Sequence, residues 1–284
     1  MVILTGLSLS LATPALGQNT ASEKKQFEAI KAQAEKGDPQ AQFNLATLYA
    51  SGRGVNRDFS KASKWNRKAA EQGLAKAQLR VAYDYGEGNG VKADHIEAVR
   101  WLRRAADQGL AEAQFQLGVC CAHGDGIAEN PIQAAKCYQQ AADQDFPDAQ
   151  FALGTCYMEG DGVAKDLSLG INWIRKAAEQ GFAPAQNSYG MCFAKGKGVT
   201  QDYVEAYKWL DLAAAQGGEH NVDAKMNLSM AERAMTPEQI SQAQKLAQDF
   251  KPRSARDNSA KPATSSSNPA SSVSPDQAKT VLLM

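Results

Sequence analysis

The chain has 284 residues, enough for a sizeable buried core at 43% hydrophobic content. Lys and Arg number 31 and so do Asp and Glu, which gives no basic field for nucleic acid and excludes that class of partner on charge grounds. Five cysteines and three histidines are too few and too scattered for a disulfide scaffold or a zinc module.

In chain order, Val2 to Leu16 is apolar or small throughout, and Ala15-Leu16-Gly17 before Gln18 reads as a small-residue cleavage site. So short a stretch falls below the roughly 20 residues a bilayer span requires, so residues 1–17 are expected to be a secretory signal. The alternative is a buried N-terminal helix. No Lys or Arg precedes Lys24, so either the start lies upstream or the α-amine supplies the charge of the n-region.

From residue 38 to 217 the chain repeats every 36 residues, five times, without insertion or deletion. Trp65, Trp101, Trp173 and Trp209 fall on one grid, with Cys137 in the remaining slot. Gly52, Gly88, Gly124, Gly160 and Gly196 fall on a second, and Ala41, Ala77, Ala113, Ala149 and Ala185 on a third. A fixed period of this size marks a stacked array whose units cannot bury their apolar faces alone.

Each unit is read as helix, turn, helix. In the first, Asp38-Pro39 opens helix A with an N-cap and a Pro at N1, and Leu45, Leu48 and Tyr49 make one apolar face with Ala41. Ser51-Gly52-Arg53-Gly54 ends it. Asp58 and its counterparts Asp94, Asn130, Asp166 and Asp202 cap helix B, which closes at a C′ glycine in every unit but the third, where Asp145 stands. Residues 23–37 match a helix B half-unit. After Gly218 the grid breaks, and residues 219–250 read as closing helices, the last opened by Thr236-Pro237. From 251 to 284 Ser, Ala, Pro and Asn dominate, as in a disordered tail. The expected fold is therefore all-α, an α-solenoid of five 36-residue helix-turn-helix repeats between N- and C-terminal capping helices.

The fourth unit carries the pattern in full: Ala149-Gln150, Leu153-Gly154, Tyr157, Gly160-Asp161-Gly162-Val163, Asp166, Trp173 and Lys176-Ala177-Ala178-Glu179-Gln180-Gly181. It resembles the Sel-one-like repeat family, relatives of the tetratricopeptide repeats. The resemblance implies a right-handed superhelix of paired helices that acts as a non-enzymatic adaptor for other proteins. For a bacterial member with a signal peptide, it implies a periplasmic or extracellular place. Cysteine-rich secreted relatives linked with penicillin-like compounds keep a cell-wall ligand or an enzyme acting on such compounds as lesser alternatives.

At 100° per residue, a strip of helix A near 240° to 300° from Ala41 is left free by the two apolar faces. In the first unit it holds Gln40, Asn44, Thr47 and Ser51. Its rows change type from unit to unit: Asn44, Arg80, Gln116, Ala152, Ser188; then Thr47, Tyr83, Val119, Thr155, Met191; then Ser51, Glu87, His123, Glu159, Lys195. The candidate binding groove is Arg80, Tyr83, Glu87, Gln116 and His123, for a protein or peptide, or else a cell-wall glycan. Solvated positions free to drift would show the same variation.

Cys120, Cys156 and Cys192 share one position and read as a buried column, with Asp84 expected to open the same position to water in the second unit. Cys121 and Cys137 replace, in one unit, positions that elsewhere read Tyr49/Trp65 or Tyr85/Trp101. If those positions face each other, a disulfide could join the two helices; otherwise both are free thiols. No catalytic, cofactor or metal motif stands out: there is no His-Glu-x-x-His, no Cys-x-x-Cys, no Gly-x-Ser-x-Gly and no phosphate loop.

Overall fold

The computed structural model describes residues 20–216 and 220–253. The proposed signal segment, joint residues 217–219 and the tail from 254 lie outside the described residues. Thirteen helices and no strand occur among those described.

The repeat grid appears as antiparallel pairs. Helix A is α2 (Pro39–Ser51), α4 (Ala75–Glu87), α6 (Ala111–His123), α8 (Pro147–Glu159) and α10 (Ala183–Lys195). Helix B is α3 (Phe59–Glu71), α5 (His95–Asp107), α7 (Pro131–Ala142), α9 (Leu167–Glu179) and α11 (Tyr203–Ala215). In front stands α1 (Ala21–Glu35), which Thr20 and Glu23 start with a capping box two residues ahead of the expected half-unit. Behind stand α12 (His220–Glu232) and α13 (Pro237–Gln248), the latter opened by the Thr236 capping box. From α1 to α12 each helix packs on the next, α13 folds back on α11 and α12 reaches α10.

The caps sit where their residue types require. Asp58, Asp94, Asn130, Asp166 and Asp202 each accept from a backbone N–H of the first turn of their helix B. The first glycine of each Gly-x-Gly is a left-handed C-cap of helix A. The second has an additional reason: at Gly90, a β-carbon would overlap the carbonyl of Phe59, where helix B of the preceding unit begins. Asp145, in place of a C′ glycine, takes φ +60° and accepts from Gln150 at 3.2 Å, so the third unit keeps the same turn.

A second repeated device joins the units. Gln42, Gln78, Gln114, Gln150 and Gln186 are all buried near the start of helix A. Each Nε2 donates, at 3.2–3.3 Å, to a carbonyl in the last turn of the preceding helix B: Ala34, Ala70, Ala106, Ala142 and Ala178. Each Oε1 accepts from the glutamine ending its own unit's helix B, Gln72, Gln108, Gln144, Gln180 and Gln216, at 2.7–2.8 Å. One amide thus gives a helix-end carbonyl a second donor beside its backbone one and ties three helices together.

Candidate functional site

Among the described residues none of the strip positions is buried, and in the first unit Gln40, Asn44, Thr47 and Ser51 are all exposed. The opposite apolar row does pack between units, with the Phe115 ring 5.5 Å from Phe146 and Phe151 5.8 Å from Phe182. Arg80, Tyr83 and Glu87 lie on α4, and Gln116 and His123 on the next helix A, α6.

The five candidates divide by environment. Glu87 and His123, at the C-terminal ends of α4 and α6, are exposed. Gln116 is half-buried. The Tyr83 hydroxyl donates to Glu112 Oε1 at 3.0 Å, bridging neighbouring units, and burial with the nearby carboxylate holds it protonated, well above the usual phenol range. Arg80 turns inward: its Nε lies 3.3 Å from Asp84 Oδ1. It is therefore a counter-ion to a buried carboxylate as much as a surface group.

Asp84 corrects an expectation. The second unit does not open this position to water, since Asp84 is only 3% exposed. Its Oδ2 accepts from Asn66 Nδ2 at 3.1 Å across the joint between units, and Ser63 adds a further hydrogen bond. Burial still pushes its carboxyl up from the usual range, against the opposing pull of Arg80 and these hydrogen bonds.

The cysteine column is buried as expected, with Cys120 pushed up to about 12 and Cys156 to about 11 mainly by burial. Cys121 and Cys137 are also buried, and both are free thiols. After burial, the strongest influence on Cys121 is Cys137, so the two thiols lie near each other. At the position of Cys121 in other units, Tyr49 packs edge-on against Phe27 at 5.4 Å and Tyr85 meets Arg67. At the position of Cys137, Trp209 packs against Tyr189 at 5.2 Å. Burial raises both thiols and leaves them protonated.

Sequence reasoning missed two members of the strip. Glu112 and Asp148 occupy the row of Gln40 in the first turns of α6 and α8. Burial, and then Glu112, push the Asp148 carboxyl up. Their periodic placement was the available signal. Among the described residues no group of three His, Cys, Asp or Glu could hold a metal, and no helix is long and apolar enough to cross a membrane. What the arrangement offers is a solvent-facing strip of mixed polarity on a rigid periodic frame.

The Sel1 repeat profile matches residues 39–74, 75–110, 111–146, 147–182 and 183–218. A Sel1 repeat protein from Oxalobacter formigenes is similar in structure, with 29% identity, a TM-score of 0.66 and coverage of 81% of this chain and 97% of that one. A protective antigen of uropathogenic Escherichia coli with an SLR fold is similar at 29% identity and TM-score 0.54. That match covers 80% of this chain, which spans 56% of the length of the antigen. No curated protein matches the sequence. Sel1 repeat proteins generally act as protein-interaction scaffolds. With five units in register on residues 39–218, this chain belongs to the Sel1 repeat family.

Proposed function

We propose that this chain is a non-enzymatic adaptor, exported to the bacterial envelope or beyond, that binds a protein or peptide along the helix A strip. The observation that carries the reading is a division of labour along each helix A. Gln42 and its four counterparts keep one residue type and one set of hydrogen bonds in all five units. The rows of Asn44, Thr47 and Ser51 stay at the surface in every unit and change chemistry at each step. A frame held constant beneath a varied surface suits recognition of an extended partner, one unit at a time. The export signal rests on residues 1–17 of the sequence.

The test uses the two candidate strip residues that are fully at the surface, Glu87 and His123. Affinity capture with the mature chain from Gln18 is compared with an E87K/H123E variant of unchanged helicity, and cross-links to the partner are mapped by mass spectrometry. Loss of the partner in the variant, with wild-type cross-links on α4 and α6, is the expected result. Undiminished capture would overturn the strip. Binding of cell-wall fragments with no protein captured would replace the partner class with glycan.

A further inference from the structure

The joint between the first and second repeats differs in chemistry from the others. Three side chains at it are polar and buried: Ser63 and Asn66 on α3, and Asp84 on α4. At the corresponding positions the later units carry Val99, Ala135, Ile171 and Tyr207 for Ser63, and Leu102, Tyr138, Ile174 and Leu210 for Asn66. The position of Asp84 is Leu48, Cys120, Cys156 and Cys192 elsewhere.

The apolar core divides into two buried clusters at the same place. The buried cluster of α1–α3 runs from Phe27 through Ala41, Leu45, Leu48 and Tyr49 to Ala62. The main cluster takes in Ala69 and Ala70 near the end of α3, with Phe43 of α2 packed against it. Ser63 and Asn66 stand between the two clusters on α3. Beside the apolar contact at the end of α3, the joint holds hydrogen bonds and one ion pair where the following joints carry apolar side chains. Charge burial is costly unless it is well paired, and among the described residues the cation acting on Asp84 is Arg80, whose side chain is 40% exposed.

We propose that this polar joint is a hinge, at which α1–α3 part from the rest of the array, and that acid closes it. The groups acting on Asp84 are Arg80 and Glu87 from its own helix and Ser63 and Asn66 from α3. Arg80 and the two hydrogen bonds favour the carboxylate; burial, and after these Glu87, disfavour it, and burial is the largest influence. A group held above its unfolded value contributes stability that is complete below the unfolded value and is lost as pH rises through the folded one. Where Asp84 is ionised, the closed joint holds a buried charge. Protonation removes that charge and leaves a carboxylic acid that can still bond Asn66.

Hydrogen exchange by mass spectrometry on the full mature chain tests the hinge, using protection factors so that intrinsic pH effects cancel. Amides of α1–α3 are expected to open independently of α5–α11. Their protection is expected to rise as pH falls through the range in which Asp84 titrates, by at most about tenfold per pH unit for one linked proton. D84N should remove that pH dependence while the joint stays polar. N66L/D84L, which restores residue types found at other joints, should raise α1–α3 protection to that of α5–α7 at every pH. Opening of α1–α3 only together with the rest of the array would overturn the hinge. An unchanged pH dependence in D84N would overturn the role of acid, and low protection persisting in N66L/D84L would mean simple fraying of the chain end.

Discussion

The ring of Tyr138 fills the space in which a β-carbon on Gly118 would stand, with Cε1 2.6 Å from that point. Units four and five set Gly154 against Ile174 and Gly190 against Leu210 at the same place, so Tyr138 is the only ring received there among the three. The second unit carries Ala82 and Leu102 at the corresponding positions. G118A alone should therefore overpack the joint and cost about 1–3 kcal/mol. G118A/Y138L should recover most of that loss in urea unfolding. Equal stability of G118A and the parent would show that the ring yields without strain.

Removing one glutamine of the inter-unit series should be expensive for a polar substitution. Gln114→Ala removes two side-chain hydrogen bonds, to the Ala106 carbonyl and from the Gln144 amide. A loss of about 1–3 kcal/mol is expected. Gln133→Ala, on the surface side of α7, serves as the control, and denaturant midpoints compare the two.

The tryptophans should not be equivalent. Trp101 and Trp209 are buried, whereas Trp173 is half-buried under the ammonium of Lys176, 3.8 Å from its ring centroid. Trp101→Ala should cost about 3–5 kcal/mol as a large core truncation, and Trp173→Ala clearly less. Similar thermal shifts for both would contradict this difference in burial.

Thiol chemistry offers a measurement at fixed pH. Burial pushes Cys120 up to about 12 and Cys156 to about 11, and it also raises Cys121, Cys137 and Cys192. Near pH 8 all five are protonated and enclosed, so a thiol reagent should label the native chain slowly. Unfolded without reductant, the chain should titrate five thiols. Three would establish a bridge.

The frame was legible in the sequence because its signals are local. An Asp before a helix, a Gly after it and an apolar row at helical spacing act within a few residues, so Asp58, Gly52 and Leu45 could be placed without coordinates. The glutamines stood on the same grid but their role did not. Gln42 is polar by type, and only the nearby Ala34 carbonyl explains why it is buried. Asp84 was misread for the same reason: Asn66 and Ser63 belong to the preceding unit. On the strip, the wheel located the exposed rows but did not foresee that Arg80 turns toward Asp84.

The glutamine series also has an evolutionary consequence. Every joint presents the same acceptor at the end of helix B and the same donor at the start of helix A. A whole unit could therefore be duplicated or deleted and the new junction would still find its partners, while the loss of a few residues would leave an amide facing the wrong carbonyl. Such a chain can change the length of its outer surface in steps of one complete unit.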